Sequence, residues 1–393
     1  LVEQTLHDFT PEKASEICGV SVERMTEFAH AYATSRAPFI RLGSGLSRYG
    51  NGAMTCRIIN ALPAIVGAWQ YPGGGLLSSA SGSKFVGKDV MQQAHVHAPA
   101  KRLMPMIKLG EMLTNPEEVG VHSLYVFSSN PAITAPNQNV VRKGLMRDDL
   151  FTIVHERFFT DTCKYADIIL PATTSVEHDD IYNSYGHYTI GTGYKLIDPV
   201  GESRSNWQVI AELAKRMGLE DTFFDLSERE LINQIVQTSS RISKADQDLI
   251  LKGESVEMTV PENYKMDFKT PSGKIELYNP QDAEPLIRYI PPYGDNAPFW
   301  LIIGNDIRIL DSSFCELEFN DEVEIYNDRG SVKIKAYYDD EVQRGTLVTL
   351  GVWWQSQSSD PHVAINALTA ARPTDQGWGS TFYDVQVHIR SLS

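Results

Sequence analysis

Short apolar runs that end in a turn and lead into a helix recur along the first 255 residues, and this pattern limits the fold more than any other feature of the sequence. Strands joined through helices run parallel, and the helices cover both faces of the sheet. The pattern therefore predicts an α/β fold with parallel sheets. The predicted strands are Phe39–Leu42, Val121–Phe127, Leu150–Val154 and Ala166–Pro171, and the predicted helices include Asn51–Ala68, Asn137–Leu145 and Trp207–Met217.

The helix predicted over Trp207–Met217 is amphipathic. Val209, Ile210, Leu213 and Met217 share one face at helical spacing, and Gly218 follows as a stop signal. We expect this apolar face to pack on the sheet and to close the α/β part of the chain.

The last third of the chain changes to alternating apolar and polar residues separated by turns, which is typical of β-strands. Asn327-Asp328-Arg329-Gly330 has the composition of a hairpin turn. We therefore predict three domains: partial α/β over 1–110, α/β over 111–255, and an all-β domain, a barrel, over 256–393. The predicted strands of the last domain lie in Thr270–Tyr278, Trp300–Ile303, Asp321–Tyr326, Val332–Tyr337, Thr346–Leu350 and Val385–Ile389.

Charge and hydropathy restrict the class of partner. The chain has 35 Lys and Arg against 50 Asp and Glu, a net charge of −15, which argues against nucleic acid or an anionic membrane surface as the main partner. The longest apolar run, Ile58–Trp69, is too short to cross a bilayer, so no membrane insertion is predicted. No export signal follows Leu1, and we expect a cytoplasmic protein.

The cysteines do not form a metal-binding motif. Cys18, Cys56, Cys163 and Cys315 are too widely separated for the spacings of zinc or iron–sulfur sites. We predict reduced cysteines and no metal-ligating residue in this chain.

The first candidate site is the glycine turn after the first strand. Gly43 and Gly45 would let backbone N–H groups approach an anion near the start of the next helix, and Arg48 would add positive charge. Arg48 stands where a dinucleotide fingerprint has its third glycine, so a nicotinamide enzyme is a weakly supported alternative. Ordinary turn chemistry would explain the same glycines.

The second candidate site lies at the strand ends of the next α/β segment. Ser128–Pro131 ends one strand, Glu156 ends the next, and Asp167 precedes the third. We expect these residues where doubly wound sheets bind ligands, with a carboxylate able to accept from a ribose hydroxyl or a guanine N–H pair. Solvated acids and strand-end turns are the alternative.

His178 and His187 match no compact metal motif, and a structural role is favoured for both.

Taken together, the motifs resemble the dimethyl sulfoxide reductase family of molybdopterin oxidoreductases. No single stretch is specific, but their order and spacing cover nearly the whole chain. The matching stretches are Thr10–Ala33, Gly43–Arg48, Pro72–Gly75, Ser129–Pro131, Glu156–Thr162, Ala166–Pro171, Thr270–Glu276, Asn327–Gly330, Trp353–Trp354 and Ile365–Thr369.

The resemblance implies an enzyme in which molybdenum or tungsten lies between two molybdopterin guanine dinucleotides and in which oxygen atoms or electron pairs are transferred. It implies dinucleotide-binding-like α/β domains followed by a C-terminal double-psi β-barrel. The positions that match cofactor contacts are Gly43, Gly45, Arg48, Ser129, Asn130, Pro131, Glu156, Thr160, Asp167, Arg308, Ser312, Ser313 and Asn366. His178 and His187 fall near the substrate funnel by the same analogy.

The resemblance also implies what this sequence lacks. Family members carry an upstream region with a 4Fe-4S cysteine motif and a metal ligand, so we expect this chain to be the C-terminal portion of a catalytic subunit, inactive alone. The segment from Phe314 to Val323 is shorter than in the family. The expected partners are a small-molecule substrate and an electron-transfer iron–sulfur subunit. The alternative is a metal-free structural subunit of an electron-transfer complex, as in the large iron–sulfur subunit of respiratory complex I.

Overall fold

The computed structural model describes residues 6–7, 9–79, 90, 103–183, 186–239, 241–259, 266–304, 321–336, 342–352 and 364–392. The chain forms two compact units. Unit 1 comprises Leu1–Ser79, Val260–Tyr293 and Pro373–Thr381, and unit 2 comprises Ala80–Thr259, Gly294–Arg372 and Phe382–Ser393. Both units draw on separate stretches of the sequence, and the division into three domains stays a prediction.

The helices and strands fall close to the predicted segments in most of the chain. The α-helices are α1 Pro11–Cys18, α2 Val22–Thr34, α3 Gly52–Ile65, α4 Leu109–Thr114, α5 Pro116–Val119, α6 Pro131–Thr134, α7 Gln138–Leu145, α8 Asn206–Arg216, α9 Glu228–Thr238 and α10 Lys244–Leu251. The strands are β1 Phe39–Arg41, β2 Gly75–Leu77, β3 Ser123–Phe127, β4 Phe151–Glu156, β5 Ile168–Pro171, β6 Asp180–Asn183, β7 Thr189–Gly193, β8 Val256–Glu257, β9 Phe299–Gly304, β10 Asp321–Asn327, β11 Gly330–Ala336, β12 Thr346–Leu350 and β13 Gln386–Ser391.

Unit 1 contains the predicted strand, turn and helix. Strand β1 pairs parallel with β2, and the turn after β1 forms a 3-10 helix over Ser44–Arg48 before α3 begins at Gly52. A Cβ on Gly52 would lie 2.4 Å from the carbonyl oxygen of Leu46, so only glycine allows this close return of the chain.

The first sheet of unit 2 is the predicted parallel sheet, with the strand order β3-β4-β5. Helices α4, α6 and α7 bury a cluster that includes Leu113, Val141 and Leu145. A Cβ on Gly144 would lie 2.4 Å from the Cβ of Leu113, so α7 approaches α4 closely because residue 144 has no side chain.

Helix α8 is correctly located, but the prediction of its buried face is wrong. The helix buries Ala211 and Ala214, whereas Ile210, Leu213 and Met217 are exposed. Small side chains bring the helix backbone close to its neighbours, so packing selects the alanine face over the more apolar one.

A second sheet of unit 2 was not predicted. Strands β6, β7 and β8 form an antiparallel sheet in the order β6-β7-β8. The sequence pattern predicted only parallel pairing for this part of the chain, because short strands carry no local signal for the direction of their partner.

The C-terminal segments form a mixed five-stranded sheet in the order β11-β10-β13-β9-β12. The β10–β11 hairpin turns at Asn327–Gly330 as predicted, and β12 pairs parallel with β9. The predicted strand in Thr270–Tyr278 is wrong, since this segment forms turns and a single bridge from Tyr278 to Leu286. The double-psi barrel stays a prediction.

Within the described ranges, no helix combines the length and apolarity needed to cross a membrane.

Candidate functional site

Asn130 occupies the carboxyl end of β3, where α6 begins. The chain leaves β3 through Ser128, whose φ of 49° is left-handed, and through the exposed Ser129. The Asn130 side chain is 5% exposed, and its Oδ1 accepts from the backbone N–H of Thr162 at 3.2 Å and from the Thr162 hydroxyl at 2.7 Å. Its Nδ2 is buried and has no hydrogen-bond partner among the described residues. An unpaired buried amide is costly, so this donor is suited to an acceptor from outside the chain.

The turn over Thr160–Thr162 lies against Asn130. Thr160 is buried and precedes the 3-10 helix Asp161–Tyr165, and its hydroxyl lies 3.6 Å from the sulfur of Cys163. Thr162 also accepts from the backbone N–H of Ala132 at 3.2 Å. This turn therefore fixes the start of α6 and the orientation of Asn130.

Glu156 ends β4 at the same edge of the sheet, because Phe127 of β3 is in register with His155 of β4. Its Oε1 accepts from the backbone N–H of Arg157 at 2.8 Å, and the Arg157 Nε lies 4.0 Å away. The structure thus brings Asn130 and Glu156 to one sheet edge, as predicted.

His155, which precedes Glu156, was not singled out in the sequence. It is buried, and its Nε2 donates to the carbonyl oxygen of Arg204 at 3.1 Å while its Nδ1 accepts from the Tyr125 hydroxyl at 3.2 Å. Both ring nitrogens are therefore occupied within the fold, and His155 anchors β4 rather than facing a ligand.

The expectation that Asp167 lies beside Asn130 and Glu156 is wrong. Ile168 pairs with Ile153, so Asp167 stands opposite Thr152 at the amino end of the strands. Its carboxylate accepts from the backbone N–H of Thr152 at 2.7 Å. A residue just before a parallel strand reaches the edge opposite to one just after it, and only the second edge is the ligand edge of such sheets.

Asn366 lies in the 3-10 helix Ile365–Ala367 and is buried. Its Nδ2 donates to the carbonyl oxygen of Ile133 in α6 at 2.8 Å. Nearby, Gln138 accepts from the Ala364 N–H at 3.2 Å, and the Asn137 N–H donates to the Thr369 carbonyl oxygen at 3.1 Å. The segment 364–369 is therefore held against the helices that begin at the ligand edge of the first sheet.

An ion cluster around the buried Asp295 also fastens segment 364–369. Asp295, 6% exposed, accepts from both terminal nitrogens of Arg329 at 3.2 and 2.6 Å and from Arg372 at 2.8 Å. The Nε of Arg329 donates to the carbonyl oxygen of Leu368 at 2.8 Å. Burial raises the pKa of Asp295, but the hydrogen bond and charge of Arg329, with Arg372 and the Gln386 N–H, outweigh it, and the pKa lies below its ordinary value.

The glycine turn of unit 1 is open at one position. Gly43 has a φ of −83°, and a Cβ added there would meet no atom of the described residues within 4 Å. Neither the backbone nor the packing of the described residues requires glycine, so the free space can admit a ligand close to the main chain. Arg48 is exposed at the end of the 3-10 helix, and Gly45 lies within it.

The anion expected at the start of α3 is supplied by the chain itself. The two carboxylate oxygens of Asp375 accept from the backbone N–H groups of Ala53 and Met54, each at 2.8 Å. A phosphate at these two N–H groups would lie beside this carboxylate and be repelled. The start of α3 is therefore occupied within the fold, and the anion contacts predicted for Gly43, Gly45 and Arg48 stay a prediction. Burial, together with the charge of Asp375, raises the pKa of the Cys56 thiol.

The histidine motifs have local partners. His178 Nδ1 lies 2.9 Å from the hydroxyl of Thr173, and His187 Nδ1 accepts from the Thr189 N–H at 3.2 Å. Hydrogen bonds from the hydroxyl and N–H of Thr174 and from the Val200 N–H hold the pKa of Glu177 below its usual range.

Across the part of the chain that the structure describes, no group of three His, Cys, Asp or Glu could hold a metal ion.

Three predicted contacts, Arg308, Ser312 and Ser313, lie outside the described residues, as does most of the segment from Phe314 to Val323.

Two family models match the chain. Residues 7–216 match the molybdopterin oxidoreductase model, and residues 311–385 match the molydopterin dinucleotide binding domain. The first match contains the glycine turn and the sheet edge with Asn130 and Glu156, and the second contains Arg329 and Asn366.

Curated relatives and solved structures are similar to this chain over almost its whole length. The "Probable oxidoreductase YoaE" of Bacillus subtilis (strain 168) is 33% identical, with 100% of this chain and 62% of the relative covered. The "Dimethyl sulfoxide reductase DmsA" of Haemophilus influenzae is 24% identical, with 98% and 57% covered. The chain therefore spans about three fifths of the length of these relatives.

One of the solved structures with a similar fold is acetylene hydratase from Pelobacter acetylenicus. Its TM-score is 0.79 at 18% identity, and it covers 99% of this chain and 66% of that one. At this identity the likeness concerns the fold alone, which is a mixed α/β fold with parallel sheets and a C-terminal β-sheet.

Proposed function

The chain belongs to the dimethyl sulfoxide reductase family of molybdopterin oxidoreductases, and from this we propose that it is the cofactor-binding portion of a molybdenum or tungsten oxidoreductase with two molybdopterin guanine dinucleotides. When bound, this cofactor supplies two-electron or oxygen-atom transfer at its metal.

The unpaired amide of Asn130 carries the proposal. A pterin or guanine ring presents several hydrogen-bond acceptors on one edge, and the buried Nδ2 of Asn130 is a donor for which the described residues offer no acceptor. The Asn130 Oδ1 is already held by Thr162, so the direction of the amide group is fixed before a ligand arrives. The residues at this sheet edge thus fit such a ring.

Other residues of the edge would hold and orient the cofactor. The carboxylate of Glu156 can accept from the paired N–H groups of a guanine. Ser129, next to Asn130, and Thr160, four residues after Glu156, provide hydroxyl groups. Asn366 would act through segment 364–369, which Asn366 fastens to α6. The cofactor contacts of Arg308, Ser312 and Ser313 stay proposals that rest on the resemblance alone.

The activity of the whole protein is also a proposal, because the matched relatives are longer than this chain. We expect a small-molecule substrate, an iron–sulfur electron-transfer subunit as partner, and a 4Fe-4S cluster in a region outside these residues. The described cysteines Cys18, Cys56 and Cys163 are free, as in a reducing compartment such as the cytoplasm. The 393 residues alone should show no turnover.

The test is the metal and nucleotide content of the full-length protein purified without oxygen. We expect molybdenum or tungsten by mass spectrometry and guanine nucleotide, released by acid, at about two per metal, which is the ratio in a bis-dinucleotide cofactor. Asn130→Ala should lower both contents together, while the exposed Phe159→Ala should leave them unchanged. Protein with neither metal nor pterin would overturn the proposal and would favour a metal-free structural subunit.

A further inference from the structure

Trp378 adopts a backbone conformation that is unfavourable for a large side chain. Its φ is 56°, and Gly377 before it has a φ of 77°. A bulky residue with positive φ is an outlier, and such strain persists only where the surroundings impose it. The side chain is nevertheless 59% exposed, so burial of the indole does not account for the strain.

The loop that presents Trp378 is firmly fastened. The Thr374 N–H donates to the Gly379 carbonyl oxygen at 3.0 Å, and the Gly379 N–H donates to the Thr374 hydroxyl at 3.2 Å. An antiparallel bridge joins Pro373 to Ser380. The indole is therefore held in place before any ligand binds, which lowers the entropy lost on binding.

This loop lies against the open glycine turn of unit 1. A Cβ on Gly379 would lie 3.5 Å from the carbonyl oxygen of Ser47, and the Asp375 N–H donates to the Gly50 carbonyl oxygen at 2.7 Å. The free space beside Gly43 belongs to the same turn. The loop also contains Ser380, whose buried hydroxyl has no partner among the described residues.

The carboxylate at the start of α3 limits which part of a dinucleotide can bind there. Asp375 occupies the N–H groups at the start of α3, so a phosphate placed there would meet a carboxylate instead of free donors. A planar ring without net charge avoids this repulsion and gains contact with an exposed indole.

We propose that Trp378 is the stacking surface for a planar bicyclic heteroaromatic ring at the Gly43–Arg48 turn, and that the phosphates of the ligand lie elsewhere. The inference rests on the proposed function, which supplies two such rings, a pterin and a guanine. It assigns a binding role to a residue that the sequence motifs did not mark.

The experiment labels the 393-residue chain with 5-fluorotryptophan and follows the six tryptophans by fluorine NMR. Trp378→Phe identifies the Trp378 resonance. The probes are guanosine, 6-hydroxymethylpterin and inorganic pyrophosphate. We expect at least one ring probe to shift the Trp378 resonance, and the probe that does so identifies the ring, while pyrophosphate does not shift it. The resonance of Trp207, whose Nε1 donates to the Leu226 carbonyl oxygen, is the internal control and should not move.

Affinity for the ring probe, measured by ligand-observed NMR, separates stacking from folding. Trp378→Gly should weaken binding by about 5- to 100-fold, the range expected for loss of one base–aromatic stack. Trp378→Phe should stay within about threefold, because it keeps an aromatic face. Glycine accepts positive φ without strain, so the melting temperature of Trp378→Gly should be equal to or above that of the parent chain.

A Trp378 resonance that responds to pyrophosphate alone, or to none of the probes, would overturn the inference, as would undiminished ring binding by Trp378→Gly. If the full-length protein contains metal and guanine, the proposed function holds whether or not Trp378 binds a ring. If it contains neither, the proposed function is wrong even if Trp378 binds a ring.

Discussion

The turns after β1 and β3 begin from the same local pattern, a parallel strand followed by a turn and a helix, yet they end in opposite states. After β1, the carboxylate of Asp375 occupies the N–H groups at the start of α3. After β3, the Nδ2 of Asn130 at the start of α6 is buried without a partner among the described residues. At the first helix start these two donors are paired within the fold, whereas at the second helix start one side-chain donor has no partner among the described residues.

This difference shows that a strand-turn-helix pattern does not by itself make a polar ligand site. What matters is whether a distant residue has already paired the groups that the turn presents. At the β1 turn the space beside Gly43 and the exposed Trp378 remain for an uncharged ring, whereas at the β3 turn a hydrogen-bond donor remains.

The largest loss of stability should come from disrupting the ion cluster of Asp295, Arg329 and Arg372, which fastens segment 364–369 near the start of α6. Asp295→Ala leaves Arg329 and Arg372 without their shared carboxylate, and loss of one partner of a buried ion pair costs about 3–5 kcal/mol. Urea unfolding should report a decrease of that size, with a smaller one, about 0–1 kcal/mol, for the more exposed Arg372→Ala. Equal losses in the two variants would contradict the buried role of Asp295.

Asn130→Ala should have the next largest effect. It removes the acceptor of the Thr162 N–H and hydroxyl, both buried, and unsatisfied buried donors cost about 1–3 kcal/mol. The neighbouring exposed Ser129→Ala should change the free energy of unfolding by less than about 0.5 kcal/mol. If Asn130→Ala unfolds like the parent chain, its amide is not held as the structure describes.

Asp375→Ala tests the contact between the Asp375 carboxylate and the N–H groups at the start of α3. Loss of a carboxylate that caps a helix costs about 0.5–2 kcal/mol, and Asp375→Asn should lose less because one acceptor remains. Thermal unfolding followed by circular dichroism measures both variants. Asp375→Asn removes the negative charge at the start of α3, so pyrophosphate should bind this variant more tightly than the parent chain. Unchanged pyrophosphate affinity would show that this charge does not exclude an anion.

A smaller effect should appear in the pH dependence of stability. The pKa of Asp295 lies below its ordinary value of 3.8, so the ionised carboxylate stabilises the fold above that pH. This contribution is lost as the pH falls below 3.8 through the pKa of the folded chain. Asp295→Asn should therefore flatten the acid limb of the stability curve between about pH 4 and pH 2. An unchanged acid limb would argue against a lowered pKa.

The smallest effect is expected at Gly43. Its φ is −83°, and a Cβ would meet no atom within 4 Å in the part of the chain that the structure describes. Gly43→Ala should therefore change the free energy of unfolding by less than about 1 kcal/mol, toward greater stability. Gly52→Ala is the matched control and should destabilise, since its Cβ would lie 2.4 Å from the Leu46 carbonyl oxygen. Weaker binding of the ring probe by Gly43→Ala, without lost stability, would place the ring beside this residue.

Sequence patterns predicted the elements better than their pairing. The strands of the first sheet and the turn at Asn327–Gly330 depend on neighbours within a few residues, and the structure has both. The antiparallel β6–β8 sheet and the buried alanine face of α8 depend on contacts between distant segments, and both were missed.

The candidate site divides in the same way. Local order along the chain was enough to indicate the family, the parallel strands and the position of Asn130 and Glu156 at strand ends. The tertiary structure alone placed Asp167 at the opposite edge, paired Asp295 with Arg329, and brought Asp375 to amides 322 and 321 residues away. Local hydrogen bonds leave a signature in neighbouring residues, whereas an ion pair or a cap between distant segments leaves none until the chain has folded.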